Sequence, residues 1–133
     1  MKVTFLIEPR LQPIGNSDEW ELCDPFTVRI EGDDKPVEII TVPKGFTTDL
    51  ASVPRLPGAY LIFAGRARRS AILHDYLYSI KAPRDWADFV FRAAMQNEVG
   101  FFSRNLMYWA VRLGGGAYYQ THQQANEAER EAP

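Results

Sequence analysis

The sequence predicts an α+β fold: a small N-terminal antiparallel β-sheet, then an ordered loop, then a C-terminal three-helix segment. Three observations carry this. Residues 1–45 hold β-rich runs cut by turn residues, residues 46–66 follow no regular period, and residues 67–113 place apolar side chains at helical spacing. A chain of 133 residues suits one core, so residues 1–120 form a single domain, with a polar tail over residues 121–133.

The β-rich runs are VTFLI, WELCDPFTVRI and VEIITV. They are separated by Pro13-Ile14-Gly15-Asn16 and by Gly32-Asp33-Asp34, and the last ends at Pro43-Lys44-Gly45, all residue types that favour turns. Three strands in one small sheet is the simplest expectation. In the second run Phe26, Val28 and Ile30 alternate with Thr27, Arg29 and Glu31, so one face should be buried and the other wet.

The stretch FTTDLASVPRLPGAYLIFAG, with two prolines and two glycines, is expected to be a long ordered loop, because its apolar content is too high for a solvated linker. Helices are expected over 67–80, 85–98 and 103–113. Pro83 ends the first by pushing Ala82 out of the α region, Gly100 stops the second, and Ser103 caps the third. Phe101, Phe102, Tyr108 and Trp109 fit core or an interface patch better than a lipid-facing belt.

Composition narrows the function classes. A net charge of -2 gives no basic field for nucleic acid, leaving the local cluster Arg66, Arg68 and Arg69, with Arg55 upstream. Cys23 is the one cysteine, which excludes an internal disulfide framework and a multi-thiolate zinc site and suits a reducing compartment. No apolar run reaches membrane-spanning length, and the apolar start is too short for a secretory signal. The expectation is a soluble intracellular protein, or one carried out as part of a larger assembly.

The candidate chemistry sits in AILHDYLY and RDWADFVFRAAM, where ionisable groups interrupt apolar helical patterns. His74 and Tyr78 share one stripe, Asp75 points about 100 degrees away, and Asp88 is the acid on the Phe91, Met95, Val99 stripe of the next helix. Trp86, Phe89, Val90 and Ala93 form a second apolar face there. A link of four or five residues favours antiparallel packing, which can set His74 opposite Asp88. Such a pair orients an imidazole as a general base for water. Asp75 is left for a hard cation, calcium by preference. Asp49, in the loop with Thr47, Thr48 and Ser52, is a further metal ligand or an orienting acid. Plainer roles compete: Asp88 as an acid near a helix start, Asp75 as a surface partner of Arg68 or Arg69, His74 as a satisfied core histidine, and Asp49 with Ser52 as a turn cap.

GFTTDLASVPR, AILHDYLY, the Arg84 to Met95 run and the closing Tyr-Trp-Ala-Val-Arg together resemble the small phage and prophage proteins grouped as domain of unknown function 1353. The resemblance implies a phage or prophage origin, with other phage structural proteins as partners, and brings no established activity. His74-Asp75-x-x-Tyr78 with Ala87-Asp88-x-x-Phe91 is also similar to the active-site helices of phospholipase A₂. That resemblance implies His74 as the base, Asp88 as its orienting acid, Tyr78 bonded to Asp88, Asp75 as a calcium ligand, and Leu56-Pro57-Gly58 as a loop whose carbonyls, Gly58 included, complete the calcium shell. The expected function is a metal-assisted ester hydrolase acting on a lipid-like ester. The alternative is a non-enzymatic tail or head structural or assembly protein.

Overall fold

A computed structural model of the chain describes residues 1–17, 19–48 and 67–113. Antiparallel strands in two small sheets are followed by three helices, an α+β arrangement. One sheet has the order β1-β4-β5, from Lys2–Phe5, Phe26–Glu31 and Glu38–Val42. The other has the order β2-β3-β6, from Leu11–Pro13, Trp20–Leu22 and Thr47–Thr48. Two sheets replace the single sheet expected, and the reason lies in the run WELCDPFTVRI. Cys23 still donates to the Arg10 carbonyl beside β2, whereas Phe26 pairs with Val42 across β5. Between them Pro25 has no N–H to offer a ladder, so the chain leaves one sheet and enters the other.

Pro13 is tolerated in β2 because that strand is an edge. Thr47 and Thr48, expected in the loop, pair with Glu21 and Trp20 instead. Gly45 makes this return possible: its φ of +89° is a conformation that side chains resist, and its N–H bonds the Leu22 carbonyl at 2.9 Å. Along β4, Phe26, Val28 and Ile30 are buried while Arg29 is exposed, as the alternation requires.

Helix α1 runs Arg68–Ser79 and α2 runs Arg84–Met95, with α3 over 101–113. Among the described residues no helix is long and apolar enough to cross a membrane. The α1–α2 link closes by two bonds, Ala82 N–H to the Leu77 carbonyl and Lys81 N–H to the Tyr78 carbonyl. This is a Schellman stop, with Lys81 at φ +63° where glycine is usual. Pro83 then caps α2, and its carbonyl accepts from Ala87. Helix α2 ends earlier than expected, through turns over 96–98, and Gly100 does not take the left-handed stop conformation. Its carbonyl instead accepts from Arg104 and starts α3, so Ser103 lies inside the helix and not at its cap.

Helix α1 has no capping side chain of its own. Glu98, just beyond α2, supplies the cap: its carboxylate accepts from the Arg69 and Ser70 amides, from the Ser70 hydroxyl at 2.7 Å and from Arg69 Nε at 2.8 Å. Helices α1 and α2 therefore run antiparallel, clamped at this end by an anion on a helix N-terminus. The core joins Val3, Phe26, Val28 and Val42 of the first sheet to Leu73, Leu77, Phe91 and Met95 of this hairpin, and Met107 and Val111 of α3 complete it. Asn97 ties the hairpin to β1 through the Val3 carbonyl at 2.8 Å.

Glu98→Ala would strand two amides at the start of α1 and the Ser70 hydroxyl, and would leave Arg69 with Glu8 alone. A loss of about 3 kcal/mol in urea unfolding is expected; a loss below about 0.5 kcal/mol would show that Glu98 is not the cap.

Candidate functional site

Helical spacing places His74 and Tyr78 one turn apart on the buried side of α1, and Asp88 one turn into α2, where the antiparallel hairpin brings them together. His74 Nε2 lies 2.7 Å from Asp88 Oδ1, and the Tyr78 hydroxyl donates to the same oxygen at 2.6 Å. The imidazole is sandwiched: its ring centre is 4.2 Å from Tyr78 and 4.6 Å from Phe91, the latter stacked. Asp88 is fully buried at 0 % exposure, and His74 is 3 % exposed.

The other carboxylate oxygen is held from α3. Arg112 Nη1 donates to Asp88 Oδ2 at 3.0 Å, and Arg84 Nε lies 4.0 Å from that oxygen, too far for a hydrogen bond. Arg84 spends its Nη2 on the last-turn carbonyls of α3, Val111 at 3.0 Å and Arg112 at 2.5 Å. Its Nε is buried without a hydrogen-bond partner among the described residues. A buried carboxylate of this kind is tolerable because each oxygen is met by donors and two guanidiniums balance its charge.

The electrostatics follow. Burial alone would raise the Asp88 carboxyl; the bonds from His74 and Tyr78, the His74 charge and the Arg112 bond outweigh it and hold the group below its ordinary value. Burial and then the Asp88 bond push the Tyr78 hydroxyl up, so it remains a donor, although the Arg84 guanidinium works the other way. An ionised carboxylate only accepts, so His74 Nε2 carries the proton it donates to Asp88, and whenever the ring is neutral its lone pair lies at Nδ1. Nδ1 has no hydrogen-bond partner among the described residues.

Of the residues singled out from sequence, His74, Tyr78 and Asp88 share one cluster. Asp75 is also buried, at 3 % exposure, and so does not lie at the surface as its alternative role beside Arg68 or Arg69 expects. Arg69 binds Glu8 and Glu98 instead. Asp49, Ser52, Gly58 and the rest of the loop from 49 to 66 lie outside the described residues, as do Gly114 to Gly116 and the polar tail. Phe89, assigned to an apolar face, is exposed and stacks on Tyr108 with Arg92 over both rings. Among the described residues no group of three or more His, Cys, Asp or Glu is placed to hold a metal. Sequence reasoning missed both arginines. Arg84 had a signal, four residues before Asp88 on one helix face. Arg112 had none.

Asp88→Asn should cost about 3–5 kcal/mol at neutral pH, because it leaves the donors around it short of a charge partner. Since the folded carboxyl titrates below its unfolded value, the contribution is complete above about pH 4 and is lost as the pH falls through the folded value. Urea unfolding of both proteins as a function of pH should show the gap narrowing in acid. A gap that stays constant down to pH ~2.5 would contradict the depressed carboxyl.

No curated protein and no solved structure matches the chain. Residues 20–111 match a family described as protein of unknown function (DUF1353). The match runs from β3 through the Arg84, Tyr78, His74 and Asp88 cluster to Val111 in the last turn of α3, most of the chain. The chain belongs to the DUF1353 family, whose function is unknown.

Proposed function

We propose that this protein is an ester hydrolase in which the His74–Asp88 pair activates water. The observation that supports it is the one-sided bonding of the imidazole: Nε2 is fixed by Asp88 at 2.7 Å while Nδ1 is claimed by no described residue. In the proposed reaction Nδ1 takes a proton from water as the oxygen attacks the ester carbonyl, and Asp88 stabilises the imidazolium that forms. Collapse of the tetrahedral intermediate breaks the bond to the alcohol oxygen, which leaves with that proton, giving acid and alcohol. Tyr78 and Arg112 keep Asp88 ionised and in place throughout. The likeness to phospholipase A₂ favours a lipid ester as substrate, and a phage or prophage setting belongs to the same proposal.

Calcium is part of the proposal as an oxyanion-neutralising ion. Of its three proposed ligands only Asp75 is among the described residues, fewer than the six to eight oxygens that calcium takes, so no step is routed through it here.

A second reading, an assembly or virion structural protein, is favoured by a specific observation. Asp88 joins all three helices, and His74 is almost sealed, which is what a packing node requires.

The two readings separate in one experiment. With short-chain aryl esters and phospholipid vesicles as substrates, His74→Ala and Asp88→Asn should each lower turnover about 10²- to 10⁴-fold, with folding checked by circular dichroism. Calcium should raise the melting temperature of the wild type more than that of Asp75→Asn. Activity left intact by both dyad substitutions would overturn the hydrolase; no activity in the wild type would leave the assembly role.

A further inference from the structure

Phe102, Leu106, Trp109 and Leu113 recur on α3 at intervals of four, three and four residues, and they are 88 %, 51 %, 58 % and 86 % exposed. The opposite side of the same helix, Met107 and Val111, is buried in the core. An α3 with apolar side chains on both sides is the pattern of a helix meant to be covered twice. With Phe101 and Phe89 beside the stripe, side chains of this size leave on the order of 600–800 Å² of apolar surface in water. That exceeds the largest patch of an ordinary monomer and approaches the roughly 800 Å² per partner of a stable interface.

We propose that this face docks a second copy of the chain, α3 against α3, antiparallel about a two-fold axis. The stripe has the heptad spacing of helix seams, and it reads the same in both directions about its midpoint. An isologous pair centred there sets Phe102 against Leu113 of the second copy and Leu106 against Trp109. Each contact joins an aromatic to an aliphatic side chain, so volumes stay even along the seam. Charge permits it as well. No acid occurs between residues 99 and 113, and the two arginines of α3 do not meet: Arg104 falls at the level of Val111 of the other copy, and Arg112 is turned inward to Asp88. The proposal does not rest on the hydrolase reading, and holds for an assembly protein equally.

Sedimentation equilibrium of the full chain between about 1 and about 100 μM should show the mass rising from 15.2 kDa toward twice that value. Leu106→Lys and Trp109→Glu, both at exposed positions, should each weaken dimerisation at least about tenfold, or 1.4 kcal/mol. Mixed one to one, the two variants should regain a dimer, because the antiparallel register brings the new ammonium against the new carboxylate. A wild type that stays monomeric at the highest concentration overturns the proposal, as does dimerisation indifferent to both substitutions. A monomer that instead cosediments with phosphatidylglycerol vesicles, and loses this with Trp109→Glu, would assign the face to lipid and overturn it as well.

Discussion

The carboxylate of Asp88 is the point on which the helical half of this protein turns. It is fully buried, yet ionised, and its two oxygens divide the work: one accepts from His74 and Tyr78 of α1, the other from Arg112 of α3. Without donors from both sides a charge at this depth would cost several kcal/mol, so helix α2 can occupy its position only when α1 and α3 are also in place. Arg84 closes the same circuit from the other direction, binding the final carbonyls of α3 from the first turn of α2. Cooperativity between the helices follows from this shared charge as much as from the apolar core around it.

The same arrangement makes chemistry conceivable. Fixing Nε2 decides the tautomer, and stacking on Phe91 with Tyr78 on the opposite flank holds the ring plane, so the remaining nitrogen is aimed by structure rather than by chance. A packing node and a general base need the same first contact. They differ in what happens at Nδ1, where a node needs nothing and a base needs water and substrate.

Legibility in the sequence followed the range of the interaction. His74 and Tyr78 sit one turn apart, a short link ending in Pro83 follows, and Asp88 stands alone on an apolar stripe, so local spacing was enough to bring the three together. The alternation of β4 was equally local. Contacts between residues far apart in sequence left no periodic trace: Arg112 reaches Asp88 across 24 positions, and Glu98 caps α1 across 28 and 29. Turn chemistry was overread at Gly100 and Ser103, since a glycine before a helix serves as well as one after it, and underread at Pro25, whose missing N–H splits the strands between two sheets. Lys81 in a left-handed stop had no sequence signal, because the motif normally selects glycine.

A double-mutant cycle between His74→Ala and Arg112→Ala, measured by urea unfolding, tests the central claim most directly. These side chains come from different helices and meet through Asp88. If the carboxylate binds the helices into one unit, the two losses will fail to add, with a coupling of about 1–3 kcal/mol. Losses that add within about 0.4 kcal/mol would mean the two contacts are independent, and Asp88 would not be the link between them.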